Sequence, residues 1–490
     1  MILIFLSSGL FLGWSLGAND GANVFGTAVG SRMLRFKTAA AIAGLFVIAG
    51  AVISGRGATE TLAGLGAVNA IAGSFMVALA AALAIFWMVR LRIPVSTSQA
   101  IVGSILGWNY FTGFPTGYSE LIKIVLAWVA SPVLAALAAI IILSAMRLLM
   151  GNVKLHLLRQ DIYTRVALII VCALGAYSLG ANNIANVMGV FVPVYPFEKI
   201  SIYGLIELSG AQQLFLLGGI AIAIGIFTYS HKVIKTIGSS IYTLSPESAL
   251  AVVLANTVVL FLFASEGFKH WLTGNGLPSL PLVPVSSTQA IVGGVIGIGI
   301  LKGARGIRYR VLGEIAAGWI ITPVMAGVIS FTALFFLQNV FSLEVSREIT
   351  FELSEPVLAK LEQEKIDNDQ LQILAGRNFR NPARFGIWLR NNTDLTAPQR
   401  ARVQELARVE HFFIDFSVIA AKMNHRLLSR DQLDTVIQLA GKRFDHRWQL
   451  FDALEAAGSS WRPRRDPGDD GEFNERLAAQ KEYVAGLFKL

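Results

Sequence analysis

The chain of 490 residues contains one cysteine, Cys172, so no disulfide can form within it and the paired Cys-x-x-Cys patterns of zinc sites are missing. Charge is scarce as well, at 15% of residues, and its distribution is uneven. Before residue 341 there are 9 Asp and Glu against 19 Lys and Arg; after it the counts are 23 and 22. The net charge of +9 therefore belongs to the apolar part, where basic residues collect in short loops between hydrophobic runs. That placement orients a membrane protein and excludes a nucleic-acid surface. Histidines are few. His156, His231 and His270 read as loop residues, with no partner serine and no metal-ligand spacing, which argues against an intramembrane hydrolase. The first apolar stretch has no basic leader, so it reads as a retained span and not a cleaved signal.

What the sequence does contain is repetition. Gly17-Ala18-Asn19-Asp20-Gly21-Ala22-Asn23 returns as Gly180-Ala181-Asn182-Asn183-Ile184-Ala185-Asn186. Pro94-Val95-Ser96-Thr97-Ser98-Gln99 returns as Pro284-Val285-Ser286-Ser287-Thr288-Gln289, and Trp128-Val129-Ala130-Ser131-Pro132-Val133 as Trp319-Ile320-Ile321-Thr322-Pro323-Val324. Three strings recurring in one order make residues 1–150 and 151–340 two copies of one unit, the mark of a transporter built from internal repeats.

Apolar runs fall near 2–30, 38–55, 71–89, 94–112 and 124–146, then near 166–194, 211–229, 248–264, 280–301 and 311–338. Five segments is an odd number, so the second copy enters the membrane in the opposite sense. The expected fold is an all-α polytopic membrane protein, an inverted-topology repeat of two five-segment halves. Segments 94–112 and 280–301 open on proline and hydroxyls, and read as broken or re-entrant helices lining a cavity. The loops with Arg32, Arg35 and Lys37, with Arg90 and Arg92, with Lys154 and Arg159, with Lys232 and Lys235, and with Lys302, Arg305, Arg308 and Arg310 fall on the inner side, which leaves the N-terminus outside. Residues 341–490 change character: charges recur every few positions, and Leu406, Val409, Phe412, Phe413 and Phe416 suggest helical spacing. The expectation there is a helical soluble domain with a flexible link near 462–472.

Two chemistries follow from the strings. Asp20 is the only aspartate in any predicted span, and a carboxylate at membrane depth costs about 2.5–3.5 kcal/mol unless it meets a partner, an ion or water. On a helix Asn19, Asp20 and Asn23 share a face, an oxygen-rich cluster for a hard cation or a proton. Each Pro-Val-Ser string reads as a helix N-terminus, with proline in the first turn and a hydroxyl cap. Such an end presents free N–H groups and about half a positive charge, to which Ser96, Thr97, Ser98, Gln99, Ser286, Ser287, Thr288 and Gln289 add neutral donors for a tetrahedral oxyanion. Glu60, Glu207 and Glu314 are further acids at apolar stretches, each readable as an ion site or as the partner of a loop cation.

The two GAN(D/N)xxAN strings and the two PVS(S/T)(S/T)Q strings, in this order, resemble the inorganic phosphate transporter family, the cation-coupled phosphate symporters. The resemblance covers about residues 1–340. It implies a multi-pass carrier in the cell (inner) membrane that moves phosphate with sodium or protons by alternating access, with no enzymatic activity and no cofactor beyond the coupling ion. Carried over by motif, Asn19, Asp20, Asn23, Asn182, Asn183 and Asn186 would serve the cation, and Asn23, Asn186 and the two Ser/Thr/Gln strings the phosphate. Asn183 departs from the family, which usually has Asp there. The partners implied are phosphate and the lipid bilayer, with a homodimer compatible. Sulfate, equally tetrahedral, is the alternative cargo, and an anion sensor with residues 341–490 as its output is the alternative class.

Overall fold

The structure is a computed structural model. It describes residues 2–30, 32–66, 68–91, 93–151, 156–194, 197, 200–202, 206–237, 244–304, 307–347, 349–366, 370–374, 377–379, 382–423, 427–463 and 470–489. Arg92, Lys154, Arg305, most of the link near 462–472 and the side chains of Glu60, Lys232 and Lys235 lie outside the described residues. The chain divides into two compact units, Met1–Arg347 and Glu348–Leu490.

The first unit is almost wholly helical: α1 (Ile2–Gly30), α2 (Phe36–Ser54), α3 (Arg56–Leu65), α4 (Ile71–Arg90), α5 (Thr97–Thr112) and α6 (Tyr118–Gly151), then α7 (Leu157–Met188), α8 (Gly210–Ile237), α9 (Pro246–Ala264), α10 (Glu266–Gly274), α11 (Ser287–Leu301) and α12 (Tyr309–Asn339). A small antiparallel pair, β1 (Ile200–Ile202) with β2 (Ile206–Leu208), precedes α8. Among the described residues, seven helices are long and apolar enough to cross a membrane: α2, α4, α6, α7, α8, α9 and α12. At 16 and 15 residues, α5 and α11 are about 24 and 22 Å long, short of the ~30 Å hydrocarbon core. Each is preceded by non-helical chain, 93–96 and 275–286, as the hydroxyl-rich strings led one to expect. Two short helices, α3 and α10, had no counterpart in the hydropathy reading because their apolar residues occupy one face only. His231 lies within α8 and His270 on α10, so neither is the loop residue expected. Glu314 pairs with Arg310 at 3.2 Å, one turn back on α12, the structural reading of that acid.

The halves interlock. α1 packs along α8 and α2 along α7, while α5 packs along α12 and α6 along α11. At the last two seams the backbones touch: the Pro323 carbonyl occupies the place of a side chain on Gly103, and the Pro132 carbonyl does the same at Gly293. Gly103 and Gly293 each follow the repeated glutamine by four residues, in Gln-Ala-Ile-Val-Gly, so the repeated proline of one half meets a glycine that also recurs. Glycine, with no side chain, lets the helices approach until backbone meets backbone.

The second unit adds strands to the helices expected there. α13 (Glu355–Gln363), α14 (Pro382–Asn392) and α15 (Ala397–Ala407) surround β3 (Phe351–Glu352) paired with β4 (Asn378–Phe379). α16 (Phe416–Lys422), α17 (Arg430–Gln438), α18 (Arg447–Ala457) and α19 (Asp470–Phe488) surround β5 (Phe412–Phe413) paired with β6 (Arg443–Phe444). The helical spacing read through Leu406 to Phe416 is broken at Phe412, because extended chain there pairs Phe412 with Phe444. This unit is also duplicated. Leu374-Ala375-Gly376-Arg377-Asn378-Phe379 matches Leu439-Ala440-Gly441-Lys442-Arg443-Phe444. Phe385 and Leu389, fully buried in one core, stand where Leu450 and Leu454 stand in the other.

Candidate functional site

The site is built where α5 and α11 begin. Ser96 and Ser286 take extended backbone and cap their helices by accepting the N–H of Gln99 at 3.3 Å and of Gln289 at 3.2 Å. Pro94 and Pro284 lie two residues ahead of the caps, not in the first turn where the sequence reading put them, because the capping serine itself must be extended for its hydroxyl to reach back. Both strings are buried in full from the cap to the glutamine.

Onto these ends come α1 and α7, and four hydrogen bonds are made twice. Within each half, Asn19 Nδ2 donates to the Val95 carbonyl at 2.9 Å and Asn182 Nδ2 to the Val285 carbonyl at 2.8 Å. Between halves, Asn23 Nδ2 donates to Thr288 Oγ1 at 3.0 Å and Asn186 Nδ2 to Ser98 Oγ at 2.9 Å. Thr288 Oγ1 and Ser98 Oγ both donate at 3.1 Å, to the carbonyls of Val95 and Val285 respectively. Asn23 and Asn186 also reach back one turn, to Asp20 Oδ1 at 3.2 Å and to Asn183 Oδ1 at 2.9 Å. All six motif residues Asn19, Asp20, Asn23, Asn182, Asn183 and Asn186 are buried, and each half's signature asparagine closes on the other half's hydroxyl.

The equivalence is incomplete. Asp20 Oδ1 further accepts from Asn19 Nδ2 at 2.8 Å and shares the Thr288 hydroxyl proton, at 3.2 Å, with the Val95 carbonyl, two bonds with no equivalent at Asn183 among the described residues. Asn182 differs too: its Oδ1 accepts the Val285 N–H at 3.1 Å, so both ends of that amide hold the α11 entry, whereas Asn19 Oδ1 has no partner. Six buried oxygens of the expected residues are left without a hydrogen bond, Asn19 Oδ1, Asn23 Oδ1, Asn186 Oδ1, Thr97 Oγ1, Gln99 Oε1 and Gln289 Oε1. Unmet buried acceptors each cost about 1–3 kcal/mol, and a cluster of them is a coordination set for a hard ion. The valine carbonyls were invisible beforehand: nothing in a side chain announces that its backbone oxygen will be turned inward. Among the described residues no group of His, Cys, Asp and Glu could hold a structural metal.

A helical membrane unit whose two halves exchange hydrogen bonds around a buried polar centre, at the ends of two short helices, has the architecture of a membrane transporter. The model of the phosphate transporter family matches residues 16–163, 157–330 and 271–423, and the chain belongs to that family. The last match runs past residue 340, beyond the region that the sequence motifs covered. A protein of Methanocaldococcus jannaschii named "Putative phosphate permease" is 28% identical over 323 residues, 66% of this chain and 93% of its own. One of Pyrococcus abyssi with the same description is 27% identical, covering 67% of this chain and 96% of its own. Among solved structures, "The sodium-dependent phosphate transporter" superposes with a TM-score of 0.55 at 23% identity, covering 69% of this chain and 98% of that one, a likeness of fold.

Proposed function

We propose that this protein is a secondary carrier that brings inorganic phosphate across the cell membrane in symport with sodium or protons. The observation that carries the reading is the reciprocal closure of Asn23 on Thr288 and of Asn186 on Ser98, which ties each signature asparagine to the opposite half's helix end. In this reading the halves are inverted repeats, and rocking one against the other opens the centre to each side in turn. The N-termini of α5 and α11, with Ser98, Ser287, Thr288, Gln99 and Gln289, donate to the phosphate oxygens without bringing fixed positive charge. The unmet oxygens of Asn19, Asn23 and Asn186, beside Asp20, take the cation.

Coupling then has a physical basis. An anion moved into a low-dielectric centre carries a desolvation cost of several kcal/mol, and neutral donors offset only part of it. A cation about 5 Å away contributes roughly 3 kcal/mol at an effective dielectric of 20, so each ion makes room for the other. The solved relative is named for its sodium dependence, which favours sodium as the coupling ion. Basic residues at the α1–α2, α4–α5 and α11–α12 turns put those turns inside.

The test is uptake of radiolabelled phosphate into proteoliposomes with sodium and pH gradients imposed one at a time. Accumulation driven by either gradient, and suppressed by excess cold phosphate but not by sulfate, is the expected result. Gradient-independent binding without transport would identify a sensor, and preferential competition by sulfate would reassign the cargo.

A further inference from the structure

The tryptophan of the third repeated string has no part in the site described above. Trp128 stands one turn before Pro132 on α6, Trp319 one turn before Pro323 on α12, and the indole Nε1–H of each is buried without a hydrogen-bond partner. The close helix contacts fix what lies level with Trp128. α6 runs in the same direction as α11, with the Pro132 carbonyl against Gly293 and the Ala136 carbonyl against Gly297, so one turn earlier Trp128 comes level with Gln289. α9 runs the opposite way past α11, Val252 meeting Gly294, so one turn further on Asn256 comes level with Ala290. Where α6, α9 and α11 pack, four residues with unmet groups therefore stand at about one level: Trp128 Nε1, Ser131 Oγ, Gln289 Oε1, and both Oδ1 and Nδ2 of Asn256. Ser131 and Asn256 are each 0% exposed.

Packing does not require these groups. On α4, the counterpart of α9, Ala82 holds the place of Asn256 when Ser74 is set against Ser248, and on α12 Thr322, the counterpart of Ser131, satisfies itself by donating to the Gly318 carbonyl at 2.6 Å. The corner of α6, α9 and α11 thus carries an unmet amide and an unmet hydroxyl where its counterpart has an alanine and a satisfied hydroxyl. An amide with donor and acceptor both unmet in an apolar interior is a cost that folding alone does not recover, and polar groups kept at membrane depth mark the paths of solutes and ions. α11 leads from the central site at Ser287 to Lys302, and Lys302 Nζ donates at 2.9 Å to Ser248 Oγ near the start of α9, so Asn256 sits between the site and the basic end of the second half.

We propose that Trp128, Ser131 and Asn256, with Gln289 at their edge, form a second phosphate station on the way between the central site and the basic loops. The inference rests on the phosphate reading and extends it to a residue outside every repeated string. The mix of groups selects the ligand: the indole, hydroxyl and amide N–H donate to phosphate oxygens, and Asn256 Oδ1 or Gln289 Oε1 accepts the proton that phosphate still carries at neutral pH. A bare cation would face N–H donors there.

Phosphate transport by Asn256→Ala and Asn256→Ser is measured in right-side-out and inside-out vesicles, with the melting temperature of each purified variant as the control. Loss of one or two hydrogen bonds predicts that Asn256→Ala raises the apparent KM about fivefold for phosphate presented at the basic face and less than twofold at the other, with Ser recovering part of the loss. Melting should be unchanged or raised. Equal KM values at both faces for wild type and Asn256→Ala, in vesicles where wild type transports, overturn the station and leave the carrier standing. Absence of wild-type phosphate transport overturns the carrier reading itself.

Discussion

The Pro323 carbonyl of α12 fills the position that a β-carbon on Gly103 of α5 would take, and Pro132 of α6 fills the same position at Gly293 of α11. Each contact joins a helix of one half to a helix of the other, and each lies one turn beyond a site glutamine. The depth at which Gln99 and Gln289 sit is therefore set by how closely these helices approach.

Gly103→Ala and Gly293→Ala should each separate a pair of backbones that have no flexible side chain to give way. The expected loss is at least about 2 kcal/mol, in the range of overpacked cores. Thermal unfolding in detergent measures it, and Pro323→Ala, which keeps the carbonyl, should cost less than Gly103→Ala. Unchanged melting of both glycine variants would mean that the seams are loose.

Gln99 and Gln289 each keep a buried side-chain oxygen without a partner, at identical places in the two strings. Removing either amide should weaken phosphate by about 1–2 kcal/mol, or five- to thirtyfold in apparent affinity. If Gln99→Ala and Gln289→Ala both transport with wild-type affinity, the strings are packing devices.

Asp20 gathers three donors on one carboxylate oxygen, Asn19, Asn23 and Thr288, where among the described residues Asn183 receives Asn186. Asp20→Asn keeps an acceptor and removes the charge. Gradient-driven accumulation should collapse while phosphate exchange persists, and Asn183→Asp should shift the sodium or proton dependence of uptake. Wild-type accumulation by Asp20→Asn would make the carboxylate structural.

In the second unit the Glu410 carboxylate, 4% exposed, meets Lys489 at 2.8 Å, Arg447 at 2.9 Å and Arg408 at 3.1 Å. Burial acts to raise its pKa, but these three cations prevail and hold it below the ordinary 4.5. A depressed folded value means that its stabilisation is complete above the unfolded pKa and is lost as pH falls through the folded one. The unit should therefore be insensitive to this group from about pH 5 upward and lose stability below about pH 4.5. Glu410→Gln leaves Lys489 and Arg408 facing a neutral amide while Arg447 keeps Glu482 at 2.9 Å, and because these cations are half-exposed the loss should be about 1 kcal/mol at neutral pH. Proteolysis of residues 348–490 in the intact protein, followed against pH, reads both effects; an unchanged profile in the variant would remove Glu410 from the account.

Repetition and hydropathy alone determined the two halves, their long helices and the short helices at each hydroxyl string, because duplicated polar letters in an apolar chain stand out without any knowledge of contacts. The cluster Asn19, Asp20 and Asn23 was legible for the same reason, since one helical turn fixes which residues share a face. The pairings between halves were not legible. Asn23 lies 265 residues from Thr288, and only the interlocking of α1, α5, α7 and α11 brings them within hydrogen-bond reach. The second duplication, Leu-Ala-Gly-Arg-Asn-Phe over Leu-Ala-Gly-Lys-Arg-Phe, was present in the letters, but without a contrasting apolar background it became evident only when Phe351 and Phe412 were seen paired alike with Phe379 and Phe444. Asn256 shows the limit most clearly. A lone asparagine in an apolar run says only that it is costly, and what it faces is decided by helices α6 and α11, whose contacts with α9 are long-range and belong to the folded state alone.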